Sequence, residues 1–131
     1  LGMPEVSLGM IPGSGGSQRV LRILGMGRSK FMLMTARRIG AEEAERWGLI
    51  SLCIPPEELE ETVDDLVNRL IKLPPLSLRA IKGVLQQGAD ASLSSALELE
   101  RKTYAWLRTT HDYAEGVNAF LEKRPPHFKG R

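Results

Sequence analysis

The chain has 131 residues, of which 42% are hydrophobic and 26% charged, a balance typical of one globular domain. A formal net charge of only +2 and an aromatic content of 5% argue against a nucleic-acid-binding surface. The single cysteine, Cys53, excludes an internal disulfide and favours a reducing compartment, so we expect a cytoplasmic protein, or a mitochondrial-matrix one in a eukaryote. No stretch approaches the roughly 18 apolar residues of a membrane span, and no membrane partner is expected.

The first segment combines a lone acid with a glycine-rich turn. Glu5 is the only acidic residue among the first 41, which contain six basic ones. Residues 3–10 predict a short extended segment, and the residues after it predict a rigid turn. Such a turn can hold a carboxylate in place for proton transfer on an anionic substrate; the alternative is an ordinary surface glutamate. The residues of the predicted structural turn are Pro12, Gly13, Gly15 and Gly16.

Helical periodicity and glycine breaks predict the next elements. A helix that begins near Ser14 or Ser17 ends at the glycines 25 and 27, and a second helix spans about 29–36. Residues 41–47 predict a short third helix between two glycines. The apolar run 49–54 predicts a buried strand, with Cys53 as a structural thiol.

Four helices are predicted in the remainder of the chain. The clearest spans 57–73, with acidic residues at its start and basic ones at its end, as the helix dipole favours. A helix over 77–87 follows a proline pair, and Ser92 and Thr110 are the expected N-caps of the last two. A polar tail with a basic end closes the chain, which is either a solvated tail or a phosphate contact.

Other sites of common chemistry find little support. The glycine-rich turn lacks the spacing of the dinucleotide and phosphate-binding loops. The two histidines, His111 and His127, have no clustered partners in the sequence, so neither a zinc site nor a serine triad is expected, and no metal is predicted.

Several spaced motifs resemble one family. The string PEVSLGMIPGSGGSQR at 4–19 resembles the signature region of the enoyl-CoA hydratase/isomerase (crotonase) superfamily. Residues 38–50 are similar to its R-I-x-A-x-E-A…G-L-V segment, 73–82 to its P-P…A-x-K stretch, and 115–124 to its E-G-x-x-A-F-x-E-K-R close. Ala36 departs from the family, which commonly has glycine there. Members are about twice as long, and because the motifs continue in order to the family's close, the chain resembles their C-terminal half.

The resemblance implies an α/β crotonase-like fold, a spiral of ββα repeats. This segment is expected to be mostly α-helical with one or two short strands. Residues 1–73 would end the spiral core, and residues 74–131 would form a helical trimerisation region. A homotrimer or a dimer of trimers is the expected assembly.

The resemblance also implies a function, hydration of an acyl-CoA thioester across its 2,3 double bond. Glu5 falls on the carboxylate that donates a proton to C2, while a second carboxylate and an oxyanion hole come from the family's first half. Phe120 and Lys123 fall on positions that reach coenzyme A in some members. No cofactor is implied, because coenzyme A is part of the substrate. The alternatives are a Δ3,Δ2-enoyl-CoA isomerase that uses Glu5 alone, or an inactive oligomerisation module.

Overall fold

The computed structural model describes residues 1–131, which form two compact units, Leu1–Leu59 and Glu60–Arg131. All of its regular elements are helices, with no β-strand, and no helix is long and apolar enough to cross a lipid bilayer. The predicted division into a core segment and a trimerisation region stays a prediction. The elements are 3-10 helix Glu5–Leu8, α1 Gly16–Met34, α2 Ala41–Trp47, 3-10 helix Pro56–Glu58, α3 Leu59–Leu70, α4 Pro75–Gly88, α5 Leu93–Leu107 and α6 His111–Glu122.

The first unit buries a small apolar core between α1 and α2, with the half-buried Met3, Trp47, Leu49 and Ile50 packed against it. The start of the chain is tied to this core. The Leu1 nitrogen donates to the Ile39 carbonyl at 2.8 Å, and the Ile39 N–H donates to the Leu1 carbonyl at 2.8 Å. The segment that carries Glu5 is therefore anchored at its beginning. The buried core residues are Val20, Leu24, Met32, Ile39 and Ala44.

Helix α1 contains a kink where the sequence predicted a break between two helices. Gly25 has φ 72° and ψ 173°, a region of backbone space that is essentially reserved for glycine. The buried hydroxyl of Ser29 donates to the Val20 carbonyl at 3.1 Å, which links the two sides of the kink. The predicted break is therefore confirmed: α1 consists of two helical parts that meet at a non-helical Gly25.

Two predictions of extended structure are wrong. Within the first predicted segment, Glu5–Leu8 form a 3-10 helix, because the Ser7 N–H donates to a local acceptor, the Pro4 carbonyl, at 2.9 Å. The run 49–54 is not a strand: the Cys53 N–H donates to Glu45 Oε1 at 2.8 Å. A strand needs a neighbouring strand for its backbone groups, and this chain supplies none. Cys53 itself is only half-buried.

The helices of the second unit follow the predicted order with shifted ends. Helix α3 is shorter than 57–73, and its apolar stripe, although periodic, remains exposed. Helix α4 begins at Pro75 instead of 77, since proline is favoured at the first helical position. The predicted caps are confirmed: Ser92 Oγ accepts the Ser95 N–H, and Thr110 Oγ1 accepts the Tyr113 N–H, both at 3.2 Å. Helices α4 and α5 pack against each other.

The tail that follows α6 folds back onto the start of that helix. Asp112, which is 4% exposed, accepts the Lys129 N–H at 2.7 Å through Oδ1 and the Gly130 N–H at 2.8 Å through Oδ2. Its own N–H donates to the Arg131 carbonyl at 3.0 Å. The backbone of the predicted tail is therefore bound to the start of α6, while the Lys129 and Arg131 side chains are exposed, as expected for a solvated basic end.

Candidate active site

Glu5 opens the 3-10 helix Glu5–Leu8, and local hydrogen bonds fix its backbone. The Glu5 carbonyl accepts the Met10 N–H at 3.0 Å, and the Val6 carbonyl accepts the Gly9 N–H at 3.1 Å. Gly9 closes this helix in the left-handed conformation. The 3-10 helix packs against α1, so the glutamate is carried on a short, closed element.

The Glu5 side chain is half-buried and carries an unsatisfied oxygen. Its Oε2 atom is buried and has no hydrogen-bond partner in the chain. Leaving a buried acceptor unpaired costs about 1–3 kcal/mol, and native structures contain few such atoms. A carboxylate oxygen kept in this way has a vacant position for a proton or for a donor that is not part of this chain.

The residues after Glu5 form the turn that the sequence predicted. Ser14 and Gly15 are both left-handed, with φ 53° and 81°, and the Gly16 N–H donates to the Gly13 carbonyl at 2.9 Å. A Cβ at Gly16 would lie 3.2 Å from Pro12 Cβ, so little room remains for a side chain there. Pro12 is buried. The turn is therefore tight and leads directly into α1.

Several basic residues of the first unit are engaged in holding its structure. Arg19 donates to the Ser14 carbonyl at 3.3 Å and lies against the turn. Arg28 donates to the Trp47 carbonyl at 2.9 Å, and its guanidinium lies over the Trp47 ring. Arg37 pairs with Glu43 at 2.9 Å. These three arginines thus stabilise the structure of the first unit, in addition to any attraction they exert on an anion.

Phe120 and Lys123 lie together at the end of α6, in the second unit, whereas Glu5 belongs to the first. Phe120 is 82% exposed, which is unusual for a large aromatic side chain. Lys123 is also exposed, and its backbone is left-handed, with φ 54°. Both side chains are available to a ligand or to another protein surface.

A cavity of about 440 Å³ lies in the second unit, and Phe120 is one of its walls. Glu5 is not among the residues that line it. Its lining is mostly aromatic and aliphatic, and its two charged residues are Asp112 and Arg108, which contacts the rings of Tyr104 and Tyr113. No group of three or more histidine, cysteine, aspartate or glutamate side chains is arranged to hold a metal ion.

Sequence reasoning missed a network of charged residues beside Lys123. Arg124 forms a two-bond pair with Glu115, at 2.6 and 2.9 Å. This pair, followed by the N–H of His127, lowers the pKa of Glu115 from its usual 4.5 to about 2. The sequence did contain a signal for this pair. Glu115 and Arg124 are nine residues apart in the closing E-G…E-K-R motif, one before and one after the end of α6.

Comparisons with known proteins agree with the motifs. A sequence model of the enoyl-CoA hydratase/isomerase family matches residues 1–131. The 2,3-dehydroadipyl-CoA hydratase of Escherichia coli (strain K12) is 38% identical over 130 residues, which are 99% of this chain and 51% of that protein. An enoyl-CoA isomerase/hydratase of Mycosarcoma maydis is 38% identical over 131 residues, 100% of this chain and 48% of that protein.

The fold of this chain also matches that of a solved structure. The crystal structure of an enoyl-CoA hydratase from Bacillus anthracis superposes with a TM-score of 0.96 at 37% identity, covering 100% of this chain and 51% of that one. The likeness supports the predicted crotonase-like α/β class, while the short strands predicted for this segment are absent from it. The chain spans about half the length of the relatives it matches.

Proposed function

Since this chain belongs to the enoyl-CoA hydratase/isomerase family, a family of enzymes, we propose that it forms part of an enoyl-CoA hydratase. The reaction adds water across the 2,3 double bond of an acyl-CoA thioester and gives a 3-hydroxyacyl-CoA. The observation that carries the proposal is the buried Glu5 Oε2 atom, which lacks a hydrogen-bond partner. The placement of the chain in the second half of such an enzyme rests on the order of its motifs.

Glu5 acts as the general acid of this reaction. Water attacks C3 of the enoyl group, the thioester carbonyl takes up negative charge as an enolate, and the Glu5 carboxyl donates its proton to C2. Proton transfer by a positioned side chain typically accelerates a reaction by about 10²–10⁴-fold. The 3-10 helix and the turn at 12–16 supply the positioning, because they leave the Glu5 backbone little freedom.

The other parts of the site come from outside these residues. A second carboxylate takes the proton from the attacking water, and two backbone N–H groups bind the thioester oxygen as the enolate forms. Donors placed at a developing oxyanion are usually the largest catalytic term. No cofactor is needed, because every step is a proton transfer or an addition to the acyl group.

Phe120 and Lys123 contact the coenzyme A portion of the substrate. Their exposure supports this role, because both side chains remain open to solvent at the end of α6. A lysine ammonium is a compact cation that suits a phosphate. A trimer, or a pair of trimers, would bring these residues to the substrate of a neighbouring subunit.

The test is turnover of crotonyl-CoA by the full-length enzyme and its Glu5→Gln variant. Glutamine keeps the size of the side chain but cannot donate the proton, so we expect kcat to fall at least about 100-fold. The decrease in absorbance as the conjugated double bond is hydrated measures the rate. A variant with near-normal turnover would remove Glu5 from the chemistry.

A second candidate is the isomerisation of a 3-enoyl-CoA to a 2-enoyl-CoA. The chain is 38% identical to a protein named enoyl-CoA isomerase/hydratase, and one carboxylate is enough to move a proton between C2 and C4. Incubation with a 3-enoyl-CoA separates the two reactions: an isomerase converts it to the conjugated 2-enoyl-CoA, seen as a rise in absorbance, whereas a hydratase without isomerase activity leaves it unchanged.

A further inference from the structure

Lys123 occupies a backbone position where glycine is usually found. It follows α6 with φ 54° and ψ 39°. Its N–H donates to the Phe120 carbonyl at 3.3 Å, and the Arg124 N–H donates to the Ala119 carbonyl at 3.0 Å, the paired bonds of a Schellman motif. A side chain at the left-handed position of this motif is strained, and glycine would end the helix without that strain. The lysine therefore needs a reason other than helix termination.

The residue after Lys123 is held by two carboxylates. Arg124 donates through both Nη atoms to Glu115, at 2.6 and 2.9 Å, and through Nε to Glu122 at 2.5 Å. A forked guanidinium–carboxylate pair fixes orientation as well as distance. Glu115 Oε1 also accepts the His127 N–H at 2.8 Å, so the same carboxylate holds the chain further along. These bonds keep the backbone on the far side of Lys123 in place.

We infer that Glu115, acting through Arg124, is a positioning residue that holds Lys123 in its left-handed conformation for contact with a phosphate of coenzyme A. The inference rests on the proposed function, which assigns this contact to Lys123. Strained backbone conformations persist where the surrounding structure over-determines them, and they concentrate at functional sites. Here the over-determining structure is the Arg124 network, and the exposed ammonium is the group it presents.

The experiment compares coenzyme A with pantetheine, the part of coenzyme A that lacks its phosphates and its adenosine. Dissociation constants for coenzyme A and for pantetheine, which carries no phosphate, are measured by calorimetry on the full-length enzyme. We expect Glu115→Gln to weaken coenzyme A binding about fivefold, the scale of one exposed charge contact, and to leave pantetheine binding unchanged. Lys123→Ala should have the same effect. The double variant should be no weaker than Lys123→Ala, because both changes remove one contact.

Glu98→Gln is the matched control. Glu98 also forms a two-bond pair with an arginine, Arg101 on α5, through Nε and one Nη atom at 2.9 and 2.8 Å, and its pKa is likewise lowered to about 2 by that arginine. It lies on a different helix, so we expect no change in either dissociation constant. Arg124→Lys is the second variant: it keeps the charge but loses the fork, and it should behave like Glu115→Gln. Circular dichroism identifies the temperatures at which each variant is folded.

Three outcomes would overturn the inference. These are an unchanged affinity for coenzyme A in the folded Glu115→Gln protein, an equal loss of pantetheine binding, and additive losses in the double variant. A wild-type enzyme that does not bind coenzyme A would overturn it as well. Failure of the hydratase proposal is seen separately, as retained turnover in Glu5→Gln, and it does not alter the comparison between the two ligands.

Discussion

Ala36 departs from the family pattern at a position where the backbone favours glycine. Its φ is 53°, in the left-handed region, where an L-residue other than glycine is disfavoured by roughly 1–2 kcal/mol. The family commonly has glycine at this place, which the resemblance alone could not explain. The structure supplies the reason, since the turn after α1 requires a positive φ whichever residue stands there.

We expect Ala36→Gly to stabilise the protein by about 0.5–1 kcal/mol. The relief of strain exceeds the extra freedom that glycine gains in the unfolded chain, about 0.4–1 kcal/mol. Urea unfolding measures the difference. The control is Ala105→Gly, an exposed position inside α5, where glycine should instead destabilise by about 0.5–1 kcal/mol. Equal effects at both positions would contradict the role of the backbone angle.

At the level of single residues, the sequence predicted more of the site's composition than of its geometry. Glu5 and its turn were found because an isolated acid and a run of glycines are visible in the letters alone. The unsatisfied Glu5 oxygen could not be predicted, since burial depends on packing. The hydrogen bonds that Asp112 accepts from the tail were missed for the same reason, because its partners Lys129 and Gly130 lie 17 and 18 residues away.

Among the elements, the kink in α1 distinguishes two glycines that look alike in the sequence. Gly25 has φ 72° and ψ 173°, whereas Gly27, two residues later, has no such conformation, and a Cβ at either would meet no atom within 4 Å. Space therefore permits a side chain at both positions, and only the backbone angle separates them.

We expect Gly25→Ala to destabilise the protein by about 1–3 kcal/mol, the typical strain of a side chain in that region. Gly27→Ala should stabilise it by about 0.5–1 kcal/mol, because alanine is the better helix former. Thermal unfolding followed by circular dichroism measures both. If the two variants shift the melting temperature in the same direction, the kink is not a fixed feature of the fold.

The order of the helices was predictable because periodicity, caps and glycine breaks are local signals. Helix α2 and the caps Ser92 and Thr110 were correct for this reason. The predicted strand at 49–54 was wrong because a strand depends on a partner that the run itself does not contain. The apolar composition of residues 49–54 is typical of a strand that is buried on both faces, yet the Leu52 side chain is 60% exposed.

For the whole molecule, the charged pairs predict a dependence of stability on pH. The forked bonds from Arg124, with the His127 N–H second, lower the pKa of Glu115 from 4.5 to about 2. A carboxyl whose pKa is lower in the folded state contributes stability that is complete above pH 4.5 and is lost as the pH falls towards 2. Solvent reduces the contribution, since Glu115 is partly exposed.

We therefore expect the stability difference between wild type and Glu115→Gln to be largest above pH 5 and to shrink between about pH 4.5 and 2. Melting temperatures in that range measure it. Glu98→Gln should behave similarly, because Arg101 lowers the pKa of Glu98 to about 2. A difference that grows on acidification would mean that the pair does not favour the ionised carboxylate.

The bonds of Asp112 also protect the tail from proteases. Trypsin cuts after lysine and arginine, and in a free tail it would cut between Lys129 and Gly130. Here the N–H groups of both residues are bound by one buried carboxylate. A protease must accommodate an extended peptide in its own cleft, so the bond becomes available only when the segment detaches. The rate of cleavage would then report the fraction of molecules in which the last residues are detached from α6.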